Sequence, residues 1–191
     1  MKGSLTWIVS CFLAVCVIQL AVPASMIVKR EAALRRGEVY LFKTAPVDPY
    51  DAFRGRYVRL NVEQGRVEGT WNDERLRRGA VVFALLDRDE EGFAKLTDLV
   101  FKRPVDREVL KVRVGTVGVN HVNLRLPFDR YYMDEFSAPE AERHFFRGNR
   151  GEGVVTSHVR VRVRRGFAVI EDVIVDDLPI REWLAVRLAE R

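Results

Sequence analysis

Cysteine is nearly absent from this 191-residue chain, and the two that occur, Cys11 and Cys16, both lie inside an uncharged apolar run. That placement leaves the rest of the chain with no disulfide framework, no thiol chemistry and no sulfur ligands for zinc. Histidine is equally sparse. His121, His144 and His158 lack metal-ligand spacing to one another and are expected as solvated surface residues. Charge is missing altogether between residues 3 and 28, although Lys and Arg total 32 and Asp and Glu 27. After residue 37 there is no linker, low-complexity tract or internal repeat. What is present in quantity is apolar: 48% of the residues are hydrophobic, which excludes a disordered chain.

The uncharged stretch reads LTWIVSCFLAVCVIQLAVPASMIV from Leu5 to Val28. It matches the roughly 20 residues that cross a hydrocarbon core as a helix. Lys2 flanks one side, Lys29 and Arg30 the other, and Trp7 suits a headgroup region. The small residues of Val22-Pro23-Ala24-Ser25 resemble a signal cleavage site after Ala24, but the run exceeds the 7–15 apolar residues of a signal peptide. An uncleaved single-pass anchor in the cell membrane is therefore expected, with residues 5–28 in the bilayer. Lys29, Arg30, Arg35 and Arg36 favour a cytoplasmic domain by the positive-inside tendency. The two-residue N-terminal tail favours export of the large domain, and an extracytoplasmic domain is the expectation carried forward.

KREAALRR continues the helix to Gly37, which suits a terminating position with positive φ. Residues 1–36 thus form anchor and juxtamembrane helix, and 37–191 one β-rich domain. VYLFKT (39–44) is a strand candidate. RYVRLNVE (56–63) alternates, with Val58, Leu60 and Val62 on one face. GAVVFALLDR (79–88) and GFAKLTDLVF (92–101) form one hairpin; VLKVRVG (109–115) and NHVNLRLPF (120–128) form another. In VVTSHVRVRVRRGFAVIEDVIVDD, Val155, Ser157, Val159, Val161 and Val163 face a core, and Thr156, His158, Arg160, Arg162 and Arg164 face outward. Arg165-Gly166 makes the turn; Ala168, Ile170, Val173 and Val175 carry the returning strand, with a bulge near Glu171-Asp172. The best internal helix outside the anchor is Pro139–Arg147. The fold class is mainly β: an antiparallel sandwich or partly open barrel with one or two short helices.

The block VDPYDAFRGRYVRLNV (47–62) resembles the signature of the GDYXXLXY protein family, bacterial membrane-anchored proteins of unassigned function, whose members read "PvDPrDpfrGdYvxLxY". Asp48, Pro49, Asp51, Phe53, Arg54, Gly55, Tyr57 and Leu60 stand where that pattern places them. Arg56 replaces the motif's Asp and Val62 its final Tyr, so a carboxylate at position 56 is not required for whatever this chain does. DRYYMDEFSAPEAE (129–142) is similar to the family's "gierYFvpEgegkelE" through Arg130, Tyr131, Tyr132, Glu135 and Glu142. RRGFAVIEDVIVDDLPI is similar to "kdGraalkdLyidGkpl". The resemblance spans anchor and domain, implies a retained anchor, and brings no activity with it.

On the residues alone, Pro49 and its flanking Asp residues form a rigid bend into a strand that Gly55 opens. A sharper reading makes Asp48, Asp51, Arg54, Gly55 and Tyr57 part of a polar binding site, together with Arg130, Tyr132 and Glu135. Asp134 and Glu135 are an acid pair of a kind also common without catalysis. The arginine stripe 160, 162, 164 and 165 lacks interleaved aromatics, and a net charge of +5 is modest, so no nucleic-acid partner is expected. It reads as a solvated strand face that discourages edge pairing, or that meets anionic lipid if it lies near the bilayer. Ser25-Met26 and Lys111 imitate the layout of a Ser–Lys signal peptidase, a membrane-bound hydrolase, but Ile27-Val28 stands where those enzymes have Pro-Thr. No cofactor is called for. The composite expectation is a binding or accessory component of a membrane assembly, with integral membrane proteins as partners.

Overall fold

The computed structural model describes residues 2–45, 57–59, 61–62, 64–71, 73–132 and 157–189. Among these, one long helix precedes an antiparallel β domain. Helix α1 (Lys2–Arg36) runs without a break through Pro23. Its stretch Trp7–Arg36 is long and apolar enough to cross a membrane, and its large apolar side chains from Trp7 to Val28 are exposed.

Two sheets form the domain. In the first, β12 (Leu178–Pro179), β11 (Phe167–Val175), β10 (Ser157–Arg164), β1 (Glu38–Ala45) and β3 (Asn61–Val62) lie in that order. In the second the order is β4 (Arg66–Glu68), β8 (His121–Arg125), β7 (Val109–Val117), β5 (Val81–Arg88) and β6 (Ala94–Val100). The ends of this second sheet, β4 and β6, approach each other, so it curls almost into a barrel. A separate ribbon joins β2 (Tyr57–Arg59) to β9 (Arg130–Tyr132).

Period-two patterning explains the core. Val159, Val161 and Val163 are fully buried, while Arg160, Arg162 and Arg164 point to the other face. Opposite them, Val82, Ala84, Val112 and Val114 of the second sheet close the layer around Phe42, which is 0% exposed. Phe42 meets Phe128 edge-on with ring centres 5.0 Å apart, a favoured aromatic geometry. Both expected hairpins form, β5 with β6 and β7 with β8. Arg165 (φ 52°) and Gly166 (φ 84°) make the β10–β11 turn; two successive positive φ values give the twist that matches a hairpin. The bulge falls where the alternation slips: Arg160 pairs with Asp172 and Val161 with Ile170, leaving Glu171 as the extra residue.

Two seams join the sheets. At one, Arg88 bridges to Glu38 (2.8 Å) and lies over the Tyr40 ring, Leu41 bridges Phe93, and Lys43 meets Glu91 (2.6 Å). At the other, the Lys111 amide donates to the Gly166 carbonyl (3.0 Å) and the Arg165 amide to the Glu108 carboxylate (3.1 Å).

Several expectations are corrected. Gly37 does not have positive φ. It is required because a Cβ there would overlap the Ala33 carbonyl oxygen and crowd the Val163 carbonyl oxygen at 3.0 Å. Within 56–63 the described residues pair on two sides, β2 with β9 and β3 with β1, so this short stretch links ribbon and first sheet. A second helix, α2 (Ile180–Ala189), follows β12, at residues where no helix was named from the sequence. It buries Ile180 and Trp183, three residues apart on one face, and packs on β11. The arginines of β10 do not guard an edge, because β10 is the central strand of its sheet. His158 is half-buried against Phe93 (ring centres 5.7 Å), and that burial lowers its pKa. The expectations for Pro139–Arg147, His144, Val155 and Thr156 lie outside the described residues.

Candidate functional site

The ribbon is where the two family-like blocks meet. Tyr57 pairs with Tyr132, Val58 with Tyr131 and Arg59 with Arg130. Three of the expected site residues, Tyr57, Arg130 and Tyr132, therefore occupy one antiparallel pair of strands although more than 70 residues separate them in sequence. Asp48, Asp51, Arg54, Gly55 and Glu135 lie outside the described residues, as does Asp134.

Tyr131 ties the ribbon to the first sheet. Its hydroxyl donates to Asp172 Oδ1 at 3.0 Å. Burial, then the neighbouring Asp172 carboxylate, pushes the phenol's pKa up, opposed by Arg181 from the first turn of α2. Asp172 is presented by the β-bulge, and the same oxygen also accepts from the Val173 amide (2.8 Å). The bulge thus has a positional purpose, re-aiming a carboxylate toward a strand of another layer. Sequence reading located the bulge but not its partner, because nothing in the local pattern says which distant hydroxyl will face it.

A second cluster that sequence reading missed holds the end of α1. Ala33 is 1% exposed, and the Gly37 amide donates to its carbonyl (2.8 Å). Arg162, directly across the contact, forks onto Glu171 with bonds of 3.0 and 2.9 Å, and reaches the Gly37 carbonyl at 3.4 Å. The bidentate pair is half-buried, and the carboxylate raises the guanidinium's pKa. The helix end touches both β10 and β11. Consecutive bulge residues therefore serve two junctions: Glu171, through Arg162, holds the end of α1, and Asp172 holds the ribbon.

Elsewhere, an open depression is lined by Glu74, Arg75, Arg77, Ala80, Val81 and Phe101. Arg75 lies over the Phe101 ring (4.1 Å) and forks onto Asp73, whose carboxyl is held down at about 2 by those hydrogen bonds. The Ser25–Lys111 pair is not assembled. Ser25 donates its hydroxyl to the Val22 carbonyl (2.7 Å) within the exposed helix, about 12 Å along the axis before the docked turn at Ala33. Lys111 sits on the outward face of β7, and no hydrogen bond or ion pair joins the two. Among the described residues no group of three or more His, Cys, Asp and Glu is placed to hold a metal ion.

Comparison with known proteins returns no match among curated proteins and none among solved structures. A family profile described as GDYXXLXY protein matches residues 19–173, a span that includes the end of the apolar run, the docked turn, the ribbon and the bulge. The chain belongs to the GDYXXLXY protein family.

Proposed function

We propose that this chain is a single-pass, membrane-anchored β domain that serves as a binding or accessory component of a membrane protein assembly, with its domain on the extracytoplasmic side. One observation carries the reading. The last turn of the apolar helix is part of the domain's own packing, through buried Ala33, the close approach at Gly37 and the Arg162–Glu171 clamp. A domain meant to diffuse freely on its anchor needs only a flexible linker. A rigid junction instead holds the domain in a fixed attitude, which suits presentation of one surface to a neighbour in the same bilayer. The match to the family profile begins inside the apolar run, which supports retention of the anchor. The contact surface we assign is the Tyr57–Tyr132 ribbon with Arg130, since tyrosine and arginine carry interface energy disproportionately.

The test is a photo-crosslinking amino acid at position 57 or 132 in intact membranes, alongside carbonate extraction and a C-terminal topology reporter. Capture of one defined integral membrane protein is expected, with the chain resisting extraction and the reporter active outside the cytoplasm. Failure to capture any partner from either position would refute the assigned surface. A reporter active only in the cytoplasm would refute the orientation.

A further inference from the structure

We infer that the domain's helix-proximal end is a lipid-contacting surface, a basic collar with an apolar tip that settles on anionic headgroups around the anchor. This inference rests on the membrane-anchored reading above, but not on which face of the bilayer the domain occupies.

The geometry begins at the docked helix end. Gly37 leads directly into β1, whose first residue, Glu38, pairs with Val163 near the end of β10. The β10–β11 turn at Arg165-Gly166 therefore lies two residues, about 7 Å, beyond the helix junction. The last residue of the apolar run, Val28, is about 13 Å from Gly37 along the helix axis. The headgroup region is about 5–8 Å deep on each side of the core, and charges act over a further 8 Å or so at physiological salt. The turn therefore stands within electrostatic range of lipid phosphates whenever the helix spans the bilayer, and any tilt brings one side closer.

The residues at that end have the matching chemistry. The turn carries Arg164 and Arg165 with Phe167 beside them, and Phe167 leaves 48% of its surface exposed. The Arg165 amide is bonded to Glu108, which fixes the preceding loop next to the turn. That loop holds Lys102, Arg103 and Arg107, all exposed, around Val105, which is 93% exposed. The helix contributes Lys29, Arg30 and Arg36, all exposed. Of the acidic groups there, Glu31 pairs with Arg35 and Glu38 with Arg88, while Glu108, bonded to the neutral Arg165 amide, keeps its charge beside the turn's arginines. Asp106 remains beside Arg107. Cations surrounding two exposed apolar side chains fit an interface in which the apolar groups dip among headgroups and the cations hold phosphates. Arg162 and Arg88 take no part, since their guanidinium groups are committed to Glu171 and Glu38.

The domain supplies its own control. Val119, in the β7–β8 turn, is 84% exposed, yet it lies nine residues along from Leu110, which bridges Gly166 at the collar. That is about 30 Å of strand.

The full chain, with Cys11 and Cys16 replaced by Ala, would carry a single fluorophore on Cys introduced by Val105→Cys, Phe167→Cys or Val119→Cys. Each form is reconstituted into vesicles of phosphatidylcholine with or without one-third phosphatidylglycerol, containing a headgroup spin-label quencher. At positions 105 and 167, quenching is expected to be at least twofold greater than at 119, to rise with the anionic lipid and to fall in high salt. The pair Arg103→Glu and Arg107→Glu, both exposed, should bring quenching at 105 down to the level at 119 without lowering thermal stability. Equal quenching at all three positions in both lipids would overturn the collar while leaving the anchor intact. Extraction of the unmodified chain from the vesicles by carbonate would instead overturn the anchored reading, and the collar with it.

Discussion

Replacing Gly37 by Ala reverses an ordinary rule, and the sign of the result tests the helix junction. Where backbone angles are unexceptional, Gly→Ala stabilises by about 0.4–1 kcal/mol through the unfolded chain. Gly37 has no positive φ to forbid a side chain. On backbone angles alone, then, the substitution should help. Packing says otherwise. The new Cβ would overlap the Ala33 carbonyl oxygen, stand 3.0 Å from the Val163 carbonyl oxygen and 3.2 Å from the Arg162 Cβ. Two of these neighbours are main-chain atoms held by helix and sheet hydrogen bonds, so neither can rotate away. Over-filling a packed site costs about 1–3 kcal/mol. After the unfolded-state gain is subtracted, a net loss of about 1–2 kcal/mol is expected, or roughly 2–8 °C in a domain of this size. The loss should be local. Trypsin cleavage after Arg35 and Arg36 should quicken by about 5- to 30-fold in the detergent-solubilised full chain, since that is the population change such an energy produces. Raised thermal stability with unchanged cleavage would refute the close approach at Gly37 and, with it, the rigid junction on which the proposed function rests.

Three further outcomes follow from single contacts. Phe42→Ala empties a fully buried ring site against Phe128 and should cost about 3–5 kcal/mol, read as a lower urea midpoint at constant slope. Tyr131→Phe removes the donor to Asp172 and should cost about 1–2 kcal/mol, with amide exchange quickening in β2 and β9 while β7 keeps its protection. Tyr40 has its pKa pushed up to about 12 by burial first and Glu38 next, with Arg88 opposing. A folded pKa above the unfolded value of about 10 means that this contribution is complete below pH 10 and is lost as pH rises through 12. Phenolate absorbance should therefore show a late-titrating component that Tyr40→Phe removes, and Glu38→Gln should bring that component earlier.

Much of the architecture was legible because it rests on local alternation. Val159, Val161 and Val163 declare a core face without any knowledge of their partners, and Arg165-Gly166 declares a turn through backbone angles. The bulge at Glu171 was legible for the same reason: one extra residue moves the apolar set to the other face. Tertiary identity was not legible. Strand β10 looked like an exposed arginine-bearing face, but lies at the centre of its sheet, with Arg162 on the non-core face held to Glu171 and the Gly37 carbonyl. Helix α2 escaped notice because ten residues are too few to show a long period, and its two buried anchors follow directly from strand β12. Gly37 was assigned the right position and the wrong reason. A terminating glycine and a close-packing glycine look alike in sequence, and only the neighbouring strand distinguishes them.

The candidate site divides along the same line. Its two halves, 47–62 and 129–142, could each be picked out and were grouped as one site, but local reading gave no register that joins them. Their register supplies one: Tyr57 stands opposite Tyr132 and Arg59 opposite Arg130, while Tyr131 reaches the carboxylate that the bulge presents. The next residue back in that bulge, Glu171, clamps the end of α1 through Arg162. Ribbon and helix end are therefore fastened to adjacent residues of one strand. A force or contact that shifts the ribbon is applied to the bulge, and the bulge also sets the helix attitude. Coupling of this kind is measurable: a cycle of Tyr131→Phe and Arg162→Gln should be non-additive by about 0.5 kcal/mol or more if the bulge moves as a unit. Strict additivity would mean that ribbon and anchor share a strand without sharing a motion.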